Sequence, residues 1–203
     1  MRITVIGSTS PTGLEVLRNG IARGDELVAF TRRPNVLKSF QGITKIVTGD
    51  GIHLSDLQHA INGSEGVIAI VGGKANVAAV IQNVIQAMQE AKVRRLVFVS
   101  SYLLEAKRPW PTVLVARWIF RRDLAELREA ENVIRSCGLN WTIYRPTQLN
   151  DKPATGRWRI QERGNDFKSG PYQISRADLA AALLDAVTKD AYDRGIYSVT
   201  WGK

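Results

Sequence analysis

The chain has 203 residues, 44% hydrophobic and 23% charged, with a formal net charge of +9 and a pI near 10.0. That length and apolar content support one substantial core and exclude a disordered chain, and no apolar run reaches the about 18 residues of a membrane span. A single cysteine, Cys137, excludes an internal disulfide, and His53 and His59 without a cysteine cluster exclude a structural zinc site.

RITVIG (2–7) is a short apolar run ending in glycine, and no signal peptide is expected before it. TGLEVLRNGIARG (12–24) then places Leu14, Leu17 and Ile21 at helical spacing and stops at Gly24. ELVAFTR (26–32) and TKIVTGD (44–50) read as the second and third strands. LSDLQHAIN (54–62) is a short helix started by Ser55 and stopped by Asn62 and Gly63. GVIAIVGG (66–73) is a fourth strand, apolar throughout as a strand buried on both faces should be. An amphipathic helix follows over 76–92, then strands at 95–101 and 139–146. Between those strands lie a long connection (102–120) with two prolines and two tryptophans, and a charged helix (121–138) turning Leu124, Leu127, Val133 and Ile134 inward. After Pro146 the pattern is irregular and hairpin-like. A helix begins at Ser175, with Asp178 three residues on as in a capping box, and IYSVT gives a last strand. No repeat or low-complexity segment is present.

Such alternation predicts an α/β protein: a Rossmann-like, doubly wound parallel sheet with helices on both faces. Ligands of these sheets sit at the carboxyl ends of the strands. That rule marks Gly7 to Gly13, Thr31 to Pro34, Gly49 to Gly51, Gly72 to Lys74, Ser100 to Tyr102 and Pro146 to Gln148.

VIGSTSPTGLE has the spacing of a dinucleotide-binding turn, with Ser10 where the middle glycine would stand. Gly7 and Gly13 remain for the turn and for helix–strand packing. Ser10 is placed to cap the helix, with Pro11 at its first position. The hydroxyls of Ser8, Thr9, Ser10 and Thr12 are candidate donors to phosphate oxygens. The same residues also make an ordinary capped strand–turn–helix. The second strand favours the cofactor: it ends AFTRRP, with no acid for a ribose hydroxyl and with Arg32 and Arg33 suited to a phosphate dianion. NADP(H) is therefore expected over NAD(H).

These residues resemble the atypical short-chain dehydrogenases, the NmrA-like NAD(P)H-binding branch in general and the biliverdin-IXβ reductase and flavin reductase group more narrowly. The likeness covers almost the whole chain as a single NAD(P)-binding domain (1–203), with substrate-side elements from 102–122 and 147–173. GSTSPTG matches the family's GATGxTG except at Ser8 and Ser10; TRRP, TGDG, VFVSSYLLE, SCGLNWTIYRP and ISRADLAAALLDAV match elsewhere, and SSYLLE and DKPATGRW point to the narrower group. The resemblance implies that Gly7, Thr9, Thr12 and Gly13 hold the pyrophosphate and Arg32 the 2′-phosphate. Asp50 and Gly51 would border the adenine, and Gly72, Gly73 and Lys74 the ribose and pyrophosphate. Ser100, Ser101, Pro146, Thr147 and Gln148 would border the nicotinamide.

Many relatives use a Tyr-x-x-x-Lys pair, whose lysine lowers the tyrosine pKa for proton transfer. Here those positions fall near Asp123 and Leu127, so that mechanism is absent. The resemblance implies instead hydride delivery to a planar conjugated acceptor, a flavin, quinone or tetrapyrrole, with Ser101 as the active-site serine. The group's histidine after the sixth strand is replaced by Thr147 or Gln148. Tyr102 and Trp110 are candidates to stack on a flat ring, with Gln148 beside them, though such aromatics also pack cores. The alternative function is a non-catalytic NADP(H)-sensing regulator.

The charge excess is local: between Lys92 and Arg122 stand eight basic residues against one acid, Glu105. The stretch is either a solvated face or an attractor of anionic substrates, through Arg108, Arg117 and Arg121. It carries no recognised nucleic-acid motif. Expected partners are thus a small planar acceptor, with neither nucleic acid nor membrane, in a cytoplasmic, metal-free globular protein.

Overall fold

The computed structural model describes residues 1–72, 76–107, 111–164, 167, 170–189 and 192–202. Its centre is a sheet of eight strands in the order β3-β2-β1-β4-β5-β6-β10-β8. They are β1 (Arg2–Ile6), β2 (Glu26–Thr31), β3 (Lys45–Thr48), β4 (Gly66–Ala69), β5 (Arg95–Val99), β6 (Asn140–Pro146), β8 (Trp158–Glu162) and β10 (Gly195–Trp201). All neighbours are parallel except β8 against β10. A separate parallel pair joins β7 (Gln148–Asn150) to β9 (Gln173–Ser175).

Parallel strands need crossovers, and the helices that supply them cover both faces. In β5 every residue is buried, and alternate side chains feed opposite layers. Leu96 and Phe98 join Ile6, Ile81 and Ile143 under α2 (Leu54–Ile61), α3 (Val77–Glu90) and α5 (Arg121–Ser136). Val97 and Val99 join Ile3, Leu17 and Leu183 under α1 (Pro11–Ala22) and α6 (Arg176–Thr188). Among the described residues no helix is long and apolar enough to cross a membrane. Nor does any group of metal-binding side chains form there.

The doubly wound sheet is as the alternation requires, and three details differ from the sequence reading. The connection at 102–120 holds a 3-10 turn (Tyr102–Leu104) and a further helix, α4 (Thr112–Ile119). The segment after Pro146 is not a hairpin: β7 pairs with β9 and β8 with β10, each a partner distant in sequence. Helix α2 is preceded by His53, which makes no side-chain cap bond, so Ser55 is inside the helix rather than its cap.

Asp178 ties this C-terminal region together. Its carboxylate accepts from Ser175 Oγ (2.9 Å), Trp201 Nε1 (2.6 Å), the Thr155 N–H (3.0 Å) and the Gly156 N–H (2.8 Å). Burial alone would raise its pKa, but these bonds, led by the Thr155 N–H, hold it below the ordinary value. Ser175 returns the bond by capping the Asp178 N–H at 3.0 Å. The Ser–Asp spacing is thus a real cap, serving also as an anchor for the 155–156 loop.

Candidate functional site

The site lies where β1 meets β4, the point at which the strand order reverses. The register sets Ile6 beside both Phe30 and Ala69, so the ends of β1, β2 and β4 open at one level. A cavity of about 480 Å³ lies above them.

Gly7 makes the turn out of β1 with φ at +77°, and a Cβ on it would stand 2.1 Å from the Ile70 carbonyl oxygen. Only glycine suits that left-handed, crowded position. A Cβ on Gly13 would approach the Gly7 carbonyl oxygen to 2.4 Å, so its lack of side chain lets helix and turn close-pack. Ser10 has no such conflict: it is the N-cap of α1, its Oγ accepting the Gly13 N–H at 3.0 Å, and Pro11 takes the first helical position.

The four hydroxyls of the turn do different work. Ser8, fully buried, donates to the Phe30 carbonyl at 3.0 Å, so its hydroxyl is turned away from any phosphate, contrary to expectation. Thr9 Oγ1 shares a 2.7 Å bond with Thr31 Oγ1 at the end of β2. Thr12 is buried and lies off the cavity wall, which Thr9 and Ser10 reach.

Arg32 and Arg33 both line the cavity but are not equivalent. Arg33 is pinned: its Nη2 donates to the Thr9 carbonyl at 2.9 Å, and its N–H to Thr31 Oγ1 at 3.0 Å. Arg32 is exposed and makes no ion pair among the described residues, so its guanidinium remains available to a ligand. Asp50 reaches the same wall, where the Ile52 N–H at 2.9 Å holds its carboxyl below the usual range. Gly51, at φ +83°, sits against Val80, and Asn83 fixes the loop by donating to the Gly51 and Ile52 carbonyls at 3.0 and 2.8 Å. Gly72 completes that side; Gly73, Lys74 and Trp110 lie outside the described residues.

The far wall is formed by Val77, Val99, Ser100, Asp123 and Leu127. Counting along the sequence placed the missing tyrosine–lysine pair at Asp123 and Leu127, and both do face this cavity. Ser100 Oγ donates to Glu131 at 2.6 Å. Glu131, buried in α5, also holds Arg145 of β6 through a two-pronged pair at 2.8 and 2.6 Å. Arg145 reaches on to Glu105 at 2.7 Å, and Glu105 to Arg163 at 2.7 Å. Burial would lower the Arg145 pKa, but the bonds to Glu131 and Glu105 carry it above its ordinary value. Glu105 is likewise pushed up by burial and pulled further down by Arg163 and Arg145.

Several expected residues stand elsewhere. Ser101 is off the cavity wall, its hydroxyl accepting the Leu103 N–H at 3.3 Å; Ser100 is the serine that faces inward. Tyr102 is buried against Phe167 and Tyr172, with ring centroids 5.9 and 6.4 Å away, and borders a second cavity of about 420 Å³ instead. Pro146 ends β6 in the interior, and Thr147 bonds Thr200 at 3.0 Å. Gln148 begins β7 and is exposed, away from the cavity wall. The basic stretch is also divided. Lys92 and Arg94 stand before β5 and Arg95 begins it, at the opposite end from the site, and Arg95 is buried with Nη2 donating to the Ala186 carbonyl at 2.6 Å.

Sequence reasoning missed Glu131, Arg145 and Asn83. A signal was available for two of them. Glu131 interrupts the inward stripe Leu127, Ile134 of α5 at helical spacing, and Arg145 interrupts an apolar buried strand.

A phosphate-ready helix start at the switch point, with a glycine turn and two arginines just past the second strand, defines a Rossmann-type dinucleotide-binding protein. The comparison with family models is specific: residues 7–190 match the NAD(P)H-binding family, and the chain belongs to it. It is 24% identical over 203 residues to the UPF0659 protein YMR090W of Saccharomyces cerevisiae, a match covering 92% of this chain and 87% of that protein. ChuY from Escherichia coli O157:H7, described as an anaerobillin reductase, is similar in structure. Its TM-score is 0.85 at 24% identity, covering 100% of this chain and 98% of that one. A short-chain dehydrogenase/reductase from Veillonella parvula, solved in complex with NADP, gives 0.81 at 20% identity, covering 98% and 93%. These structural likenesses establish the fold.

Proposed function

We propose that the protein is an NADPH-dependent reductase that passes hydride to a planar conjugated acceptor of the flavin, quinone or tetrapyrrole kind. One observation carries this reading: among the described residues lining the cavity there is neither tyrosine nor lysine, while Arg32 stands exposed at its rim.

The residues present suit the cofactor. The Gly7 turn keeps side chains away from the start of α1, whose first turn holds no acid, so its N–H groups and dipole favour a pyrophosphate. Arg32 would pair with the 2′-phosphate, while Arg33 braces the turn. Bound NADPH would supply a hydride. The Ser100 hydroxyl donates its hydrogen bond to Glu131, so toward the cavity its oxygen offers lone pairs, suited to accept an amide N–H and orient the ring.

Among the described residues of that wall the one carboxyl is Asp123, and no tyrosine–lysine pair stands there to enforce a proton, so reduction of a carbonyl that needs one is disfavoured. A conjugated acceptor delocalises the incoming charge and takes its proton from solvent. That ChuY is described as an anaerobillin reductase supports the reductase reading. The missing pair also suits the second reading, a non-catalytic NADP(H) sensor.

Titration with NADPH and NADH, before and after Arg32→Ala, tests the cofactor assignment. The substitution should weaken NADPH about tenfold to a hundredfold and leave NADH nearly unchanged. Wild-type protein binding NADH as tightly as NADPH would refute it. Loss of the nicotinamide absorbance on adding FMN, a quinone or a linear tetrapyrrole tests the chemistry. Tight NADPH binding with no oxidation by any of the three would decide for the sensor.

A further inference from the structure

Helix α4 presents its apolar residues to solvent. Leu114, Val115, Trp118 and Ile119 share one arc of the helix and are 49, 58, 69 and 59% exposed, and Phe120 follows at 47%. The opposite side holds the helix to the body of the protein. Val113 is buried there, and the Arg117 guanidinium donates to the Leu103 and Leu104 carbonyls at 2.7 and 3.1 Å. Contiguous apolar exposure of this extent on a tethered helix marks a docking face.

Charge identifies the occupant. Arg121 and Arg122 follow directly and are exposed, and Arg121 lies over the Trp118 ring at 5.7 Å. The sequence from 106 to 122 contains no acid. Pairing two copies through this face would bring like charges together with no acid of the segment to offset them. An anionic bilayer offers an apolar layer and opposite charge side by side, and tryptophan with arginine is the pairing its boundary favours.

We propose that α4 docks the protein on an anionic lipid surface. The helix lies in the plane of the interface, with Leu114, Val115, Trp118 and Ile119 toward the acyl chains and Arg121 and Arg122 on the headgroup phosphates. This departs from the expectation of no membrane partner, which rested on the lack of a spanning run; an interfacial helix needs none. The inference rests on this face alone; a protein that binds vesicles but reduces nothing would leave it standing.

The test is co-sedimentation of the full chain with phosphatidylcholine vesicles, with and without phosphatidylserine. Binding is expected to the phosphatidylserine vesicles and to fall with salt. Arg121→Gln with Arg122→Gln should weaken it about fivefold per arginine. Leu114→Ser with Trp118→Ser should weaken it at least about tenfold. NADPH affinity, read on the same samples, should be unchanged in both variants and so reports correct folding. Three results would overturn the proposal: no binding to phosphatidylserine vesicles, binding indifferent to the apolar substitutions, or a lipid-free dimer that those substitutions dissolve.

Discussion

Replacing Glu131 by glutamine removes one charge from the chain of ion pairs behind the cavity. The glutamine carbonyl can keep the partners of one oxygen, Ser100 at 2.6 Å and Arg145 Nε at 2.8 Å. Its amide then faces Arg145 Nη2, which now stands 2.6 Å from the other carboxylate oxygen, donor against donor. Arg145 is 5% exposed and retains Glu105, which is half open to water and less able to compensate. Breaking a buried pair costs about 3–5 kcal/mol, and the surviving partner argues for the lower end, about 3. For a 203-residue chain that corresponds to a fall in Tm of roughly 6–12 °C. Scanning calorimetry at neutral pH measures it directly. Glu131→Leu with Arg145→Met should be less damaging than the two single changes added together, since no charge is then left buried alone. A Glu131→Gln protein melting within about 2 °C of wild type would refute the assignment of Glu131 as the counter-ion.

Ser10→Ala should cost about 1 kcal/mol and Ser10→Gly only a few tenths, because glycine tolerates the cap position; equal losses in urea melts would exclude the cap. Arg33→Ala frees the Thr9 carbonyl and loosens the turn, so calorimetric titration should show NADPH and NADH weakened alike, unlike the selective effect of Arg32→Ala. Asp178→Asn should destabilise by about 2–4 kcal/mol at neutral pH. Because Asp178 is held below its ordinary pKa, its contribution is full above about pH 4 and is lost as pH falls through the native value. Urea melts should therefore show the gap between wild type and Asp178→Asn closing in acid; a gap constant with pH would refute the charged anchor.

The six parallel strands from β1 to β6 and their helices were legible because their residues obey two simple periods. β1, β3, β4, β5 and β6 run into glycine, serine or proline, β2 runs into Arg32 and Arg33, and each long helix keeps an inward stripe. What escaped the pattern obeys no such rule. Helix α4 turns Leu114, Val115, Trp118 and Ile119 outward, so its periodicity points away from the core that sequence reading assumes. Strands β7 and β9 are three residues each and pair across a gap that no local turn signal announces. In the site, glycines at strand ends were visible because backbone geometry demands them. Which serine faces inward was not, since Ser100 and Ser101 differ only by which side of a strand end they leave.

The two helix starts at the switch point show what the residues add to the bare fold. Both offer unpaired N–H groups and the positive end of a dipole. At α3 the Ala79 N–H is taken by Asn76 at 3.0 Å and the Val77 N–H by Glu126 at 3.1 Å, so a carboxylate already offsets that end. At α1 the cap is a neutral serine, and Arg32 and Arg33 stand beside it. The cavity is thus polarised, positive along β1 and β2 and negative along α5, where Asp123 also faces inward. On the proposed reading the phosphates are drawn to the first side. The ring would then fall to the second, against Val77, Val99 and Leu127, where Asp123 would favour the positive charge of an oxidised nicotinamide.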